Sequence, residues 1–198
     1  PALADPKDAP AFTWNDDPAW ASCSDYLHVD CNYMLLVDNL LDLSHETFLH
    51  AGYIGTPEVA ETPIATEVDP DRPIVRVSRR MEAVECPPFY AESTGLRTPI
   101  DRWQDIEYHP PCLYLLHSRI APQGLYPPAE GEDSDAFHAE IVYAITPSTE
   151  HTTYLLRQLY TARDGRRIRL ALTDARDLVL ETDSRPPHVL DKFQLAAL

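Results

Sequence analysis

Between Tyr33 and His50 the apolar residues Leu36, Leu40, Leu41, Leu43 and Phe48 recur at helical spacing. That pattern predicts a helix over about 33–49, which the glycines of "GYIG" then terminate. In "RPIVRVSRRMEAVE" polar residues alternate with β-branched ones, so this stretch predicts a strand. "DIEYHPPCLYLLHSRIAP", "AFHAEIVYAITP" and "EHTTYLLRQLYTA" predict three more, separated by turn signals. "GRRIRLALTDARDLVLETDSR" sets Ile168, Leu172, Ala175 and Val179 at helical intervals and predicts a long C-terminal helix. Residues 1–30 read as extended and polar, pinned to the core by Trp14 and Trp20. A helix, several antiparallel strands and a closing helix predict an α+β fold in which a curved sheet grips a helix.

Composition narrows the function classes. The 198 residues fit one domain, and 44% hydrophobic with 24% charged content gives a globular chain with a real core. A formal net charge of −16, with basic residues only in short runs, argues against nucleic acid as a partner. No apolar run approaches the ~20 residues of a membrane span, and "PALADPKDAP" is no signal peptide. Cys23, Cys31, Cys86 and Cys112 lack zinc-ribbon spacing and are expected to be reduced, buried thiols of a cytoplasmic protein. The 19 prolines fall mostly between elements and mark stiff loops.

The chemistry concentrates in "DNLLDLSHETFLH", residues 38–50. Imidazole with carboxylate is a ligand set for borderline metals, and two histidines with one carboxylate on one face of the ion suit non-haem Fe(II). His45 and His50 are five residues apart, which on a regular helix separates them by ~140°. For both to face one ion, the helix must distort or end near Thr47–Leu49. By spacing alone, solvent exposure of His45, Glu46 and His50, and of Asp38 and Asp42 one turn apart, is the simpler reading.

"HVDCNYMLLVDNLLDLSHETFLH" nevertheless resembles the iron-binding segment of the Rieske non-haem iron oxygenases, in the branch of the vanillate and dicamba O-demethylases. The family pattern N-x2-D-x2-H-x4-H is met by Asn39, Asp42, His45 and His50, and the likeness continues through "TPIDRWQDIEYH", "IAPQG" and "ITPSTEHTTYLL". The resemblance implies that His45 and His50 ligate iron. It makes Asp42 a bridging carboxylate that accepts a hydrogen bond from His45 and relays electrons from a neighbouring subunit, and Asn39 a polar residue near the metal. The family's third ligand is an aspartate of the C-terminal helix, here Asp177 in "LTDARDLVLETD" or Asp174 one turn earlier. Positions that contact the aromatic substrate fall on Leu116 and Tyr143, and Tyr114, His117, Phe137 and His138 are further candidates for the pocket. Leu116 cannot hydrogen-bond a carboxylate.

The resemblance further implies a helix-grip domain over residues 1–198, with Fe(II) as cofactor and O2 and an aromatic compound as substrates. Electrons would come from NAD(P)H through a reductase or ferredoxin, and the assembly would be a homotrimer. The C-x-H and C-x2-H motifs that bind a [2Fe–2S] Rieske cluster do not occur in the sequence. The expectation is therefore a catalytic half whose cluster lies elsewhere, inactive alone. Two other readings are a zinc hydrolase using the same ligands, for which no HExxH is present, and a helix-grip module that binds a hydrophobic ligand without catalysis.

Overall fold

The structure is a computed structural model that describes residues 12–124, 136–162, 168–174 and 177–182. After a 3-10 turn at Thr13–Asn15 come β1 (Trp20–Val29), α1 (Tyr33–Leu41), a 3-10 turn (Leu43–His45), α2 (Glu46–Leu49) and α3 (Pro57–Glu61). Then follow β2 (Ala65–Val68), β3 (Val75–Val84), α4 (Pro88–Thr94), β4 (Ile100–His109), β5 (Leu113–Pro122), β6 (Phe137–Pro147) and β7 (Thr153–Ala162). These seven strands form one sheet in the order β1-β7-β6-β5-β4-β3-β2, and every neighbouring pair is antiparallel. The α+β fold is helix-grip-like, as expected.

Period-two alternation decides what each face of this sheet carries. In register, Val77, Ile106, Leu116, Ile141 and Leu159 cross β3 to β7 on one face. Leu36, Val37 and Leu43 pack there with Val77, Ile106, Tyr114 and Ile145, and Val59 and Tyr90 pack there with Met81, Ile100 and Ile120. All four helices belong to the chain segments that cover this face. The other face is lined by a second set, in which the Trp14 ring meets those of Trp20 and Tyr160 at a tilt and that of His117 edge-on. Trp14 and Trp20 thus anchor the N-terminal segment, as their placement in the sequence suggested.

Two expectations change. "DIEYHPPCLYLLHSRIAP" is not one strand but the β4–β5 hairpin, turned at Pro110-Pro111, whose prolines cannot donate to a ladder. The stretch expected to form a long C-terminal helix is instead a two-stranded sheet, β8 (Ile168–Asp174) paired with β9 (Asp177–Thr182). Its apolar residues fit a period of two as well as of 3.6: Leu170 faces Leu180 and Leu172 faces Leu178. The four cysteines are free and half-buried. Among the described residues no helix is long and apolar enough to cross a membrane.

Candidate metal centre

The histidine segment is built by a sequence of short local structures. Asn32 caps α1, its side chain accepting from the Met34 amide at 2.9 Å. The helix stops at Asp42, whose backbone leaves the helical region (φ −87°, ψ 89°) and whose carboxylate accepts from the Ser44 amide at 2.9 Å. An aspartate that bonds the backbone two residues on competes with helix continuation. The break therefore falls at Asp42, earlier than the Thr47–Leu49 region expected, and a 3-10 turn brings in His45 before the single turn of α2.

His50 ends α2, its amide donating to the Glu46 carbonyl at 3.1 Å. Its own carbonyl then accepts from the amides of Tyr53, Ile54 and Gly55, at 3.0, 3.2 and 3.0 Å. Gly55 comes so close that a Cβ there would lie 1.9 Å from the Glu46 carbonyl oxygen. The outcome is that the rings of His45 and His50 lie 5.2 Å apart, edge to face, instead of on divergent sides of a regular helix.

His45 Nδ1 donates to the backbone carbonyl of Asp42. A carbonyl only accepts, so Nδ1 carries a proton and Nε2 is the ring nitrogen left for a metal. This contact goes to the backbone of Asp42 and not to its carboxylate, which differs from the expected bridge. Burial, reinforced by His45, holds the His50 imidazole below its ordinary pKa and hence neutral at pH 7, the form that binds metals. The Ser44 side chain, then the Ser44 amide, hold Asp42 below the usual carboxylate range, so it is ionised on the exposed side of the segment. The donor set thus fits a borderline divalent metal at two positions. Among the described residues no third His, Cys, Asp or Glu completes the set.

Glu46, between the histidines, is 4% exposed and not on a solvated face. Its Oε2 accepts from Arg79 Nη2 at 3.1 Å and Arg102 Nη2 at 2.8 Å, and its Oε1 from Gln104 Nε2 at 2.6 Å. Burial alone would raise this carboxyl; the charges of Arg102 and Arg79 outweigh it and hold the pKa below its ordinary value. Arg79 also donates to the carbonyls of Leu43 and Val59, both at 2.9 Å, and Arg102 to that of Ile54 at 2.8 Å. Sequence reasoning missed this cluster. The available signal was Arg79, Arg102 and Gln104 standing on the apolar face of strands otherwise occupied by Val77, Met81, Ile100 and Ile106.

The remaining site candidates divide by face. Asn39 is half-buried on α1. Leu116 and Tyr143 lie on the helix-bearing face and pack against the cluster containing Leu36, Leu40, Leu41 and Leu43. Tyr114 joins them, its ring 5.5 Å from that of Tyr143, and Phe137 shares the face. His117 and His138 are on the opposite face: His117 Nδ1 is bonded to Glu140 beside Trp14, and His138 takes a bond from Arg119. They do not share a face with Tyr143. Asp174 and Asp177 face each other at the turn end of the β8–β9 pair, not on a helix, and their side chains lie outside the described residues.

An antiparallel sheet with a paired-histidine segment laid on one face has the architecture of a Rieske non-haem iron oxygenase catalytic domain. Comparison with known sequences gives the branch. The vanillate O-demethylase oxygenase C-terminal domain family matches residues 29–185, and the chain belongs to that family. It is 39% identical over 157 residues to the vanillate O-demethylase oxygenase subunit of Pseudomonas sp. (strain ATCC 19151), covering 75% of this chain and 46% of that one. It is 33% identical over 152 residues to the dicamba O-demethylase oxygenase component of Stenotrophomonas maltophilia, covering 76% and 42%. The crystal structure of dicamba monooxygenase bound to 3,6-dichlorosalicylic acid superimposes with a TM-score of 0.71 at 29% identity, covering 81% of this chain and 45% of that one. The chain spans a little under half the length of these relatives.

Proposed function

We propose that this domain is the catalytic half of a terminal oxygenase that uses Fe(II) and O2 to O-demethylate or hydroxylate an aromatic compound. His45 and His50 supply two ligands, and Asp177, or Asp174 in its place, the third. The observation that carries the reading is the meeting of the two imidazoles at 5.2 Å, with the tautomer of His45 set by the Asp42 carbonyl. When bound, Fe(II) would supply the capacity to activate O2. Around it, this chain's own residues do the remaining work. Leu116, Tyr143 and Tyr114 offer a largely apolar wall that excludes water and seats an aromatic ring. The hydroxyl of Tyr143 can orient a polar substituent, and burial keeps that phenol protonated at neutral pH. Asn39 adds a polar contact near the metal, and exposed Asp42 faces outward, where a neighbouring subunit's Rieske cluster would dock.

Electrons would come from NAD(P)H through a reductase or ferredoxin. Exposed Leu35 (56%) and Phe48 (75%) offer apolar surface for the subunit contacts that a homotrimer would need. Of the relatives described above, one is a vanillate and the other a dicamba O-demethylase component, so methoxylated benzoates are the first compounds to test. The assay supplies the chain joined to its Rieske half, with a reductase and NADH, and measures formaldehyde release from vanillate. Release that requires O2 and disappears in His50→Ala supports the proposal. Equal release from His50→Ala contradicts it.

A further inference from the structure

Leu43 anchors the entry to the histidine turn in the core, but α2, between the two histidines, buries no apolar side chain. α2 has four residues, too few to be stable alone. Its large apolar side chains point away from the core, Phe48 75% and Leu49 49% exposed. The buried residue of α2 is Glu46. What fixes α2 against the sheet is therefore a carboxylate, and what it binds are three side chains on two adjacent strands, Arg79 of β3 with Arg102 and Gln104 of β4.

The same arginines grip the backbone on both sides. Arg79 holds the Leu43 carbonyl, two residues before His45, and Arg102 holds the Ile54 carbonyl, four residues after His50. Arg79 also donates to Gln104 Oε1, which closes the network on itself. An apolar contact tolerates rotation of a short helix about its axis. Charge-assisted bonds from two guanidinium groups to one carboxylate do not, because they fix direction as well as distance. His45 directly precedes Glu46 and His50 is one turn beyond it, so the azimuth of Glu46 sets where both imidazoles point.

We propose that Glu46 is a positioning residue for the histidine pair, acting through the Arg79–Arg102–Gln104 network to hold the two imidazoles at a common metal. This rests on the reading of His45 and His50 as ligands. The test is an anaerobic Co(II) titration of the full chain followed by visible absorption, alongside thermal melting. Wild type is compared with Glu46→Gln, Arg102→Lys, His45→Ala and a core control, Ile120→Val. Arg102→Lys keeps the charge but loses the planar fork, and it serves if Glu46→Gln does not fold. Removing groups that orient a ligand typically weakens metal binding about 10- to 100-fold. We expect a loss of about tenfold in Co(II) affinity and an altered band envelope in Glu46→Gln and Arg102→Lys. Ile120→Val should melt lower but keep the wild-type affinity and spectrum. Wild-type affinity and spectrum in folded Glu46→Gln and Arg102→Lys, at whatever melting temperature, overturn the proposal and leave the network a purely structural one. Unchanged Co(II) binding in His45→Ala, or none in wild type, instead removes the ligand reading and the proposal with it.

Discussion

Glu46 links stability to chemistry at the scale of single residues. Its side chain and those of Arg79 and Arg102 are at most 5% exposed. Removing one member of a buried ion cluster typically costs about 3–5 kcal/mol, because the partners stay buried without compensation. Glu46→Ala should lose stability of that order in urea denaturation, whereas a loss below about 1 kcal/mol would mean the cluster is solvated. The pH dependence has a definite sign. The fold holds Glu46 below its ordinary 4.5, so its contribution is complete above that pH and is lost as pH falls through the lower folded value. Melting temperature should fall below pH 4.5 in wild type and fall less steeply in Glu46→Gln; parallel curves would contradict an ionised Glu46. Gly55→Ala should unfold or shift the segment, since its methyl would occupy the Glu46 carbonyl. Circular dichroism and Co(II) binding of that variant check this. None of this was legible from "SHETFLH", where Glu46 reads as a solvent-facing helical residue. Burial of a carboxylate depends on cations 33 and 56 residues away.

At the scale of elements, two hydrogen bonds join the entry to the helical segment to the β6–β7 hairpin. Asn32 caps α1 and also donates to the Glu150 carbonyl in the β6–β7 turn at 2.9 Å. Thr153, fully buried at the start of β7, donates to the Cys31 carbonyl at 2.8 Å. Asn32→Ala should cost about 1 kcal/mol as a lost cap, and Thr153→Val a similar amount by leaving a buried carbonyl without its donor. Both are read by denaturation, and a neutral result in both would mean that this junction is held by packing alone. The strands β3, β6 and β7 were legible because alternation over ten or more residues is hard to mistake. Failures came where two signals competed. Pro110-Pro111 divides an apolar run that reads as one strand, and 168–182 carries a pattern compatible with either period.

At the scale of the whole molecule, the sheet separates two functions. One face carries the histidine segment with Leu116 and Tyr143; the other carries the N-terminal anchor through Trp14, Tyr160 and His117. Spacing alone favours solvent exposure; the family resemblance carried by Asn39, Asp42, His45 and His50 points to the candidate site, and the fold adds how a five-residue spacing converges: a break at Asp42, not a continuous helix. The exposure of Phe48 on α2 makes a prediction about assembly. If Phe48 lies in a subunit contact, Phe48→Glu should shift the mass found by light scattering toward the monomer, and an unchanged mass would exclude it from the contact. The chemistry of the domain turns on whether the histidine pair holds iron. The most direct measurement is the metal content of protein purified anaerobically, for wild type, His45→Ala, His50→Ala, Asp177→Ala and Asp174→Ala. The account predicts about one iron per chain in wild type, lost in both histidine variants and in one of the two aspartate variants. Iron retained in His45→Ala and His50→Ala, or absent from wild type, would contradict it.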